Sequence, residues 1–344
     1  MARRPKGAIL NTVKLESADG MHVEVLDLGA ALRSVVVPTL GGPVDVVLGY
    51  DSLEEYRSDR YFVGASLGRF AGRVDRGRFR MDGRDYALTT GGTGGENCLH
   101  GGPKGFHARR WIIDEATRRS VRLALVSENG DQGFPGRLEA RVQYTLLDGF
   151  RLLIDYSACT DQATVVNLSN HAYFNLEGAD GTIGRHWVRI NADWYTPLDE
   201  RHIPTGEIRT VVGSKFDFRN ERALGDSCDV QSGPGAVFDD NFVLNSANQG
   251  MAFAATVAAP ATGIRLNVYT TQPGLQFYTG DNLSSPFRPR AGLCLESQHF
   301  PNSPNQPAFP SCRLAPTDSY HHQTLYEFKV ASRPPKLQLA ETSG

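Results

Sequence analysis

Apolar and polar residues alternate with period two over much of the chain. In the segment 137–146, Leu138, Ala140, Val142, Tyr144 and Leu146 are apolar, while Arg137, Glu139, Arg141, Gln143 and Thr145 are polar. After Asp148-Gly149 the alternation resumes: Phe150, Leu152, Ile154, Tyr156 and Ala158 are set against Arg151, Asp155 and Ser157. A strand sends successive side chains to opposite faces, so this pattern predicts two long, half-buried strands. Asp-Gly tolerates the positive φ of a type I′ turn, which places Asp148-Gly149 at the centre of a hairpin. The same signal stands at Asp19-Gly20 and Asp82-Gly83, and Asn129-Gly130 sits in a longer glycine-rich loop. Near the C-terminus Thr324, Tyr326, Phe328 and Val330 alternate with Leu325, Glu327 and Lys329, which predicts a further strand. Helical periodicity is weak. Only Ser52 to Asp59 reads as a short helix, with Ser52 at its N-cap. Many strands and few short helices predict an all-β fold, a large antiparallel sandwich or barrel.

Composition narrows the picture. The 344 residues include 36 glycines and 19 prolines, which suits a chain rich in turns. Hydrophobic residues make up 40 %, enough for a large core. No boundary divides the sequence, so a single domain is expected over 1–344, with a core at 7–332 and a frayed polar tail at 333–344. The Gly/Ser/Asp-rich stretch 225–235 reads as a surface loop. The formal net charge is −2, with no basic excess of the kind that phosphate backbones require, so nucleic-acid binding is not expected. No apolar run approaches the ~20 residues of a membrane helix, and the basic start lacks the apolar stretch of a secretion signal. The five cysteines (Cys98, Cys159, Cys228, Cys294, Cys312) are widely spaced, with no metal or disulfide pattern. Reduced thiols in a cytoplasmic protein are the expectation.

All-β proteins carry function at strand ends and loops. Polar, aromatic and glycine residues concentrate in five segments: 68–79, 96–111, 167–178, 272–283 and 294–310. Rings that stack on apolar sugar faces, beside amides and charges that bond hydroxyls, suit a carbohydrate site.

Within those segments and near them lie GRFAGRV, NCLHGG followed by Trp111, SNHAYFNL, FDDNF (238–242), QPGLQFYTG and CLESQHFPNSPNQPAFP, preceded by VVLGYDSLEEY (46–56). Together, and in this order, they resemble the motifs of the aldose 1-epimerases, also called galactose mutarotases. The resemblance runs from about Gly29 to Val330. It implies a β-supersandwich, no cofactor or metal, and interconversion of the α and β anomers of a free aldose such as glucose or galactose. It also implies residue roles. His171 is the general acid on the ring oxygen, Glu296 the general base on the anomeric hydroxyl, and His100 a group that binds and polarises the sugar. Arg73, Asp239 and Gln276 hold hydroxyls, and Tyr173 belongs to the substrate-binding set, although Tyr173, Phe277 and Tyr278 read more as walls of the core than as individual sugar platforms. A monosaccharide is the expected partner, and the protein is expected to be a monomer or homodimer.

The chemistry asks for such a set independently. Opening a hemiacetal removes a proton from the C1 hydroxyl and delivers one to the ring oxygen. Rotation about C1–C2 and reclosure then give the other anomer. One acid and one base are sufficient, and positioned proton transfer supplies about 10²–10⁴-fold. Each residue also fits a plainer role. His171 fits a core histidine, although Asn170, Tyr173, Phe174 and Asn175 around it favour a site. Glu296 follows an apolar strand, where an acid is either solvent-facing or a buried base, and the cost of burial favours the base. His100 also fits a group that shapes the Gly101-Gly102 turn, and Arg73 one more charged strand residue. His299, His321 and His322 do not predict a shared metal, because adjacent strand residues point to opposite faces. Two other functions remain open: a non-catalytic sugar-binding or regulatory protein on the same fold, and a hydrolase or lyase that uses Asp239 as a second carboxylate. Four positions depart from the family pattern. Gly72 stands for Asn, Asp240 for His, Asp281 for Asn and Asn302 for Asp. Gly72 and Asp240 leave the preferred sugar open.

Overall fold

The computed structural model describes residues 9–225, 237–245 and 250–331. The stretch 226–235, read as a surface loop, and the tail 333–344 lie outside the described residues. Strands dominate, and every helical segment among the described residues is a short 3₁₀ turn. Three antiparallel sheets carry the architecture. The largest has nine strands in the order Ile112–Ala116, Ser120–Ser127, Leu138–Leu147, Arg151–Thr160, Tyr320–Val330, Ile264–Thr270, Ala252–Ala259, Trp187–Ile190 and Arg222–Ala223. A six-stranded sheet runs Tyr173–Phe174, Leu293–Gln298, Gly274–Tyr278, Asp239–Val243, Trp194–Tyr195 and Arg209–Thr210. A four-stranded sheet is built from Thr12–Glu16, His22–Leu26, Ala31–Val37 and Val44–Asp45.

The period-two pattern is what lets these sheets stack. Val142, Tyr144, Ile154 and Tyr156 on the large sheet, Leu275, Phe277 and Leu295 on the six-stranded sheet, and Val23, Leu32 and Val35 on the small one all join one buried apolar cluster. Between Gly274 and Tyr278, and between Leu293 and Gln298, every residue is buried. Leu275, Phe277, Leu293 and Leu295 face the core, while Gln276, Tyr278, Glu296 and Gln298 border a cavity on the other face. The functional residues thus sit on the floor of a cleft laid over the core.

Turn chemistry is borne out at one of three Asp-Gly sites. Met81 pairs with Arg84, which leaves Asp82 (φ 50°) and Gly83 (φ 78°) as a two-residue turn with both φ positive. At Asp148-Gly149 the hairpin forms, but Leu147 pairs with Arg151 and the loop has one more residue. The positive φ values fall on Gly149 (78°) and Phe150 (53°) instead. The cause is tertiary: the Asp19 carboxylate accepts the N–H groups of Gly149 (2.8 Å) and Phe150 (3.1 Å), and Phe150 packs on the core. At Asp19-Gly20, Glu16 pairs with His22, so the loop spans five residues. The short helix is a 3₁₀ turn over Leu53–Ser58, with Ser52 at its N-cap. The Glu55 carboxylate accepts the Ser52 N–H at 2.9 Å.

Arg69 shows how a charge can be structural. Its side chain is fully buried and donates to the carbonyls of Pro135 (2.8 Å), Gly136 (2.8 Å), Ser127 (2.9 Å) and Glu128 (3.1 Å), and to Ser127 Oγ (2.7 Å). Burial lowers its pKa to about 10, so it stays charged at neutral pH. It ties the loop after Ser120–Ser127 to the segment that carries Gly72 and Arg73. Arg69→Met strands those carbonyls in the interior, and the expected loss is about 3–5 kcal/mol of unfolding free energy, read from the urea midpoint. A change below about 1 kcal/mol would show that the carbonyls find other partners.

Candidate active site

A cavity of about 470 Å³ opens at the edge of the six-stranded sheet. All seven residues singled out from the sequence border it: His100, His171, Glu296, Arg73, Asp239, Gln276 and Tyr173. They come from six separated stretches of chain, so tertiary structure alone unites them.

His171 lies between the short strands Ser169–Asn170 and Tyr173–Phe174. Its backbone N–H donates to Ala65 O (2.9 Å), and its carbonyl accepts from Gly64 (3.1 Å). The asparagines beside it hold backbone: Asn170 Nδ2 donates to Gly64 O (2.8 Å) and Asn175 Nδ2 to Ala291 O (2.8 Å). The motif therefore positions the imidazole. The ring is buried, with Nδ1 3.4 Å from Cys294 Sγ and Nε2 3.6 Å from Glu296 Oε1. Tyr173 flanks it at 4.9 Å between ring centroids and donates its hydroxyl to Tyr61 O (3.0 Å).

Glu296 is 2 % exposed, and its Oε2 has no protein partner. Burial, then the nearby Asp239 charge, pushes its pKa well above the ordinary carboxylate range, while Arg73 pulls the other way. Burial lowers His171 to about 4. Both groups are thus driven toward their neutral forms.

His100 has a left-handed backbone (φ 51°) and leads into Gly101, whose Cβ would stand 1.9 Å from Gly68 O. Only glycine fits there, so the LHGG block does shape a turn, and that turn aims the ring into the cleft. The Gly72 N–H donates to His100 Nδ1 at 3.1 Å. Burial, His171 and Arg73 keep the ring neutral, with its pKa well below 6.5. With Nδ1 accepting, the proton sits on Nε2, and His100 is a hydrogen-bond donor. Ligand atoms of His100, His171 and Glu296 lie within 4.8 Å of one another, a spacing that suits a metal. The donor set does not fit: His100 has one lone pair, already given to Gly72, and a metal there needs a second.

Arg73 and Asp239 form an ion pair, with Nη2 to Oδ2 at 3.2 Å. Gln276 Nε2 donates to the other Asp239 oxygen at 2.7 Å. Each Asp239 oxygen thus has a protein partner, which fixes the orientation of the carboxylate in the cleft.

Several residues on the cleft wall were not singled out. Phe62, in a left-handed backbone (φ 60°), lays its ring 4.7 Å from His100, 5.6 Å from His171 and 4.7 Å from His107. Nothing in its sequence context signals this. Tyr278 lines the cleft, while Phe277 points into the core, as strand alternation requires. Gln298 also borders the cleft; its place two residues after Glu296 on one strand was a readable signal. Of the four departures, only Gly72 reaches the cavity. Asp240 is buried on the opposite face of its strand, raised to about 6 by burial and by Asp239. Asp240 meets the cleft only through its neighbour, accepting the Asp239 N–H at 3.1 Å. Asp281 pairs with the buried Arg290 (3.3 Å), and Asn302 Oδ1 caps the Asp75 N–H (3.1 Å). The remaining histidines are accounted for by packing. His321 is exposed and faces Asp155 (3.1 Å), and His322 stacks on Tyr156 at 5.0 Å on the other side of the strand.

A buried carboxyl and imidazole 3.6 Å apart, in a cleft walled by aromatic rings and polar side chains, make a geometry suited to proton transfer on a polar ligand. Known proteins agree with this class. Residues 11–327 match the family model described as aldose 1-epimerase. An aldose 1-epimerase of Escherichia coli is 39 % identical over 339 residues, covering 95 % of this chain and 97 % of its own. A galactose mutarotase of Homo sapiens is 39 % identical over 335 residues, covering 94 % and 96 %. Among solved structures, a GalM/aldose epimerase homologue from C. elegans superposes with TM-score 0.87 at 29 % identity, over 94 % of this chain and all of that one. A galactose 1-epimerase from Lactobacillus acidophilus gives 0.81 at 29 % identity, over 95 % and 97 %. The chain belongs to the aldose 1-epimerase family. It is an enzyme, an isomerase that acts on carbohydrates.

Proposed function

We propose that this protein is a mutarotase that opens and recloses the ring of a free aldose such as glucose or galactose, with Glu296 and His171 exchanging one proton. The observation that carries this is the 3.6 Å contact between Glu296 Oε1 and His171 Nε2 on the floor of the cleft.

The proton count balances. With a cyclic sugar bound, the productive pair is the Glu296 carboxylate and the His171 imidazolium. Glu296 takes the proton from the C1 hydroxyl, the C1–O5 bond breaks, and His171 delivers its proton to O5. The products are the open aldehyde, protonated Glu296 and neutral His171. That is also the pairing that burial favours. Reclosure on the other face runs the same transfers in reverse. Burial raises Glu296 and lowers His171, so the ionised pair is the less favoured form and its formation is part of the barrier. His100 Nε2–H donates to a sugar oxygen, Arg73, Asp239 and Gln276 hold hydroxyls, and Tyr173 walls the ring.

The cytoplasm fits the four described cysteines, Cys98, Cys159, Cys294 and Cys312, which are free thiols. No helix among the described residues is long and apolar enough to cross a membrane.

The test is polarimetry of freshly dissolved α-D-glucose and α-D-galactose across pH, corrected for spontaneous mutarotation. The pair must hold one proton. A second proton goes to His171 near pH 4, and the last one leaves Glu296 at its raised value. On the acid side kcat/KM is expected to hold until the pH approaches about 4, and on the alkaline side to fall where the raised Glu296 loses its proton. An acid limb centred near 6.5, the value of a solvated histidine, would overturn the assignment. Sugar binding without accelerated mutarotation would favour the non-catalytic reading.

A further inference from the structure

We propose that Gln298 reads two neighbouring hydroxyls of the bound sugar and sets specificity at that edge of the ring, a role that rests on the mutarotase reading above. On the strand Leu293–Gln298, residues two apart share a face, so Gln298 enters the cavity beside Glu296. Its side chain is 0 % exposed, yet neither Nε2 nor Oε1 has a protein partner. A carboxamide offers two donors and two acceptor sites, and native interiors rarely leave such a group unpaired. By contrast, the Gln276 amide nitrogen is already committed to Asp239.

Two glycines border Gln298. Gly274 pairs directly across the ladder from it. At Gly72 an added Cβ would lie 3.3 Å from Gln298 Nε2 and 3.1 Å from Pro301. The similar family motif carries Asn there, an amide at that same edge of the cavity. In this chain Gly72 brings no side chain to the Gln298 amide, which leaves that amide to the occupant of the cleft. An amide presents a donor and an acceptor side by side, and a vicinal diol presents their complement.

The experiment compares wild type with Gln298→Met, which keeps the length of the side chain and removes its hydrogen bonding. KM for the better of D-glucose and D-galactose is expected to rise about tenfold, with kcat changed much less. The series of monodeoxy analogues gives the sharper readout. Wild type loses affinity at the hydroxyls the amide contacts, and in Gln298→Met the penalty at those positions disappears while the others persist. Without sugar, the thermal midpoint of Gln298→Met is unchanged or higher, because an unpaired buried amide has gone. An unchanged KM with the same deoxy profile would overturn the proposal. So would a lowered midpoint with an unchanged profile, which is the signature of a structural amide holding a buried water. If wild type turns over neither sugar, the mutarotase reading fails, and calorimetric binding of the same analogue series still decides the role of Gln298.

Discussion

Glu296→Gln is expected to lower kcat by about 10²–10⁴-fold while leaving the fold and sugar binding in place. The substitution preserves volume and planarity on the strand Leu293–Gln298 and keeps hydrogen-bonding groups facing the cleft. What it removes is proton affinity, the one property the mechanism takes from this residue. Because the carboxyl already prefers its protonated form in the empty cleft, the neutral amide introduces no new charge imbalance. His171→Asn is expected to give a loss of similar size. The double variant should be little worse than either single one, because one proton circuit is broken only once. Stopped-flow or manual polarimetry gives kcat, and calorimetry gives sugar binding. A kcat within twofold of wild type for Glu296→Gln would remove Glu296 from the proton circuit. Equal loss of binding and turnover would make it a binding group instead.

The second large effect is acid lability. Burial lowers His107, His171, His186 and His299 to about 4 and His322 to about 3, and holds His100 well below 6.5. In the unfolded chain all six titrate near 6.5. Between these values the unfolded state binds protons that the native state refuses. Their contribution to stability is whole above about pH 6.5 and is lost as pH falls toward 4. Buried carboxyls act in the opposite sense. Glu296, Asp240, Asp59 and Asp45 are raised by burial, so protonation favours the folded form as pH falls through their native values. The histidines outnumber them. At pH 5 a net uptake of protons on unfolding is expected, and each net proton costs about 1.4 kcal/mol of stability per pH unit. Urea unfolding at pH 7, 6, 5.5 and 5 measures the slope directly. His322→Phe keeps the stack on Tyr156 and removes one titrating group, so its slope should be shallower by about one proton. A slope near zero between pH 7 and 5 would mean that the buried rings take up protons in place.

Much of this protein is legible in the order of its residues, and the reason is local. Period-two alternation is imposed by the pleat of a single strand, so Leu138 to Leu146 and Phe150 to Ala158 declare themselves without any partner. The candidate acid, base and sugar-holding groups stand out because proton transfer and hydroxyl binding demand particular side chains, and these stand in distinctive company. Where both faces of a strand are buried, alternation by polarity loses its meaning. Glu296 and Gln298 look like interruptions of an apolar strand until the opposite face is seen to be a cavity. Which arginine serves the site is likewise a long-range matter. Arg69 and Arg73 differ little in sequence, yet one is locked under carbonyls from the loop after Ser127 and the other meets Asp239 across the cleft. The length of the turn after Leu147 was decided by Asp19, more than a hundred residues away. The tautomer of His100 was decided by the Gly72 N–H, and the protonation of the Glu296–His171 pair by the depth at which the sheets bury it. The sequence by itself therefore determined the elements and the chemical inventory, because both follow from local backbone geometry and side-chain type. Orientation, pairing and protonation came only with the tertiary structure, because each depends on which distant groups exclude water from the same space.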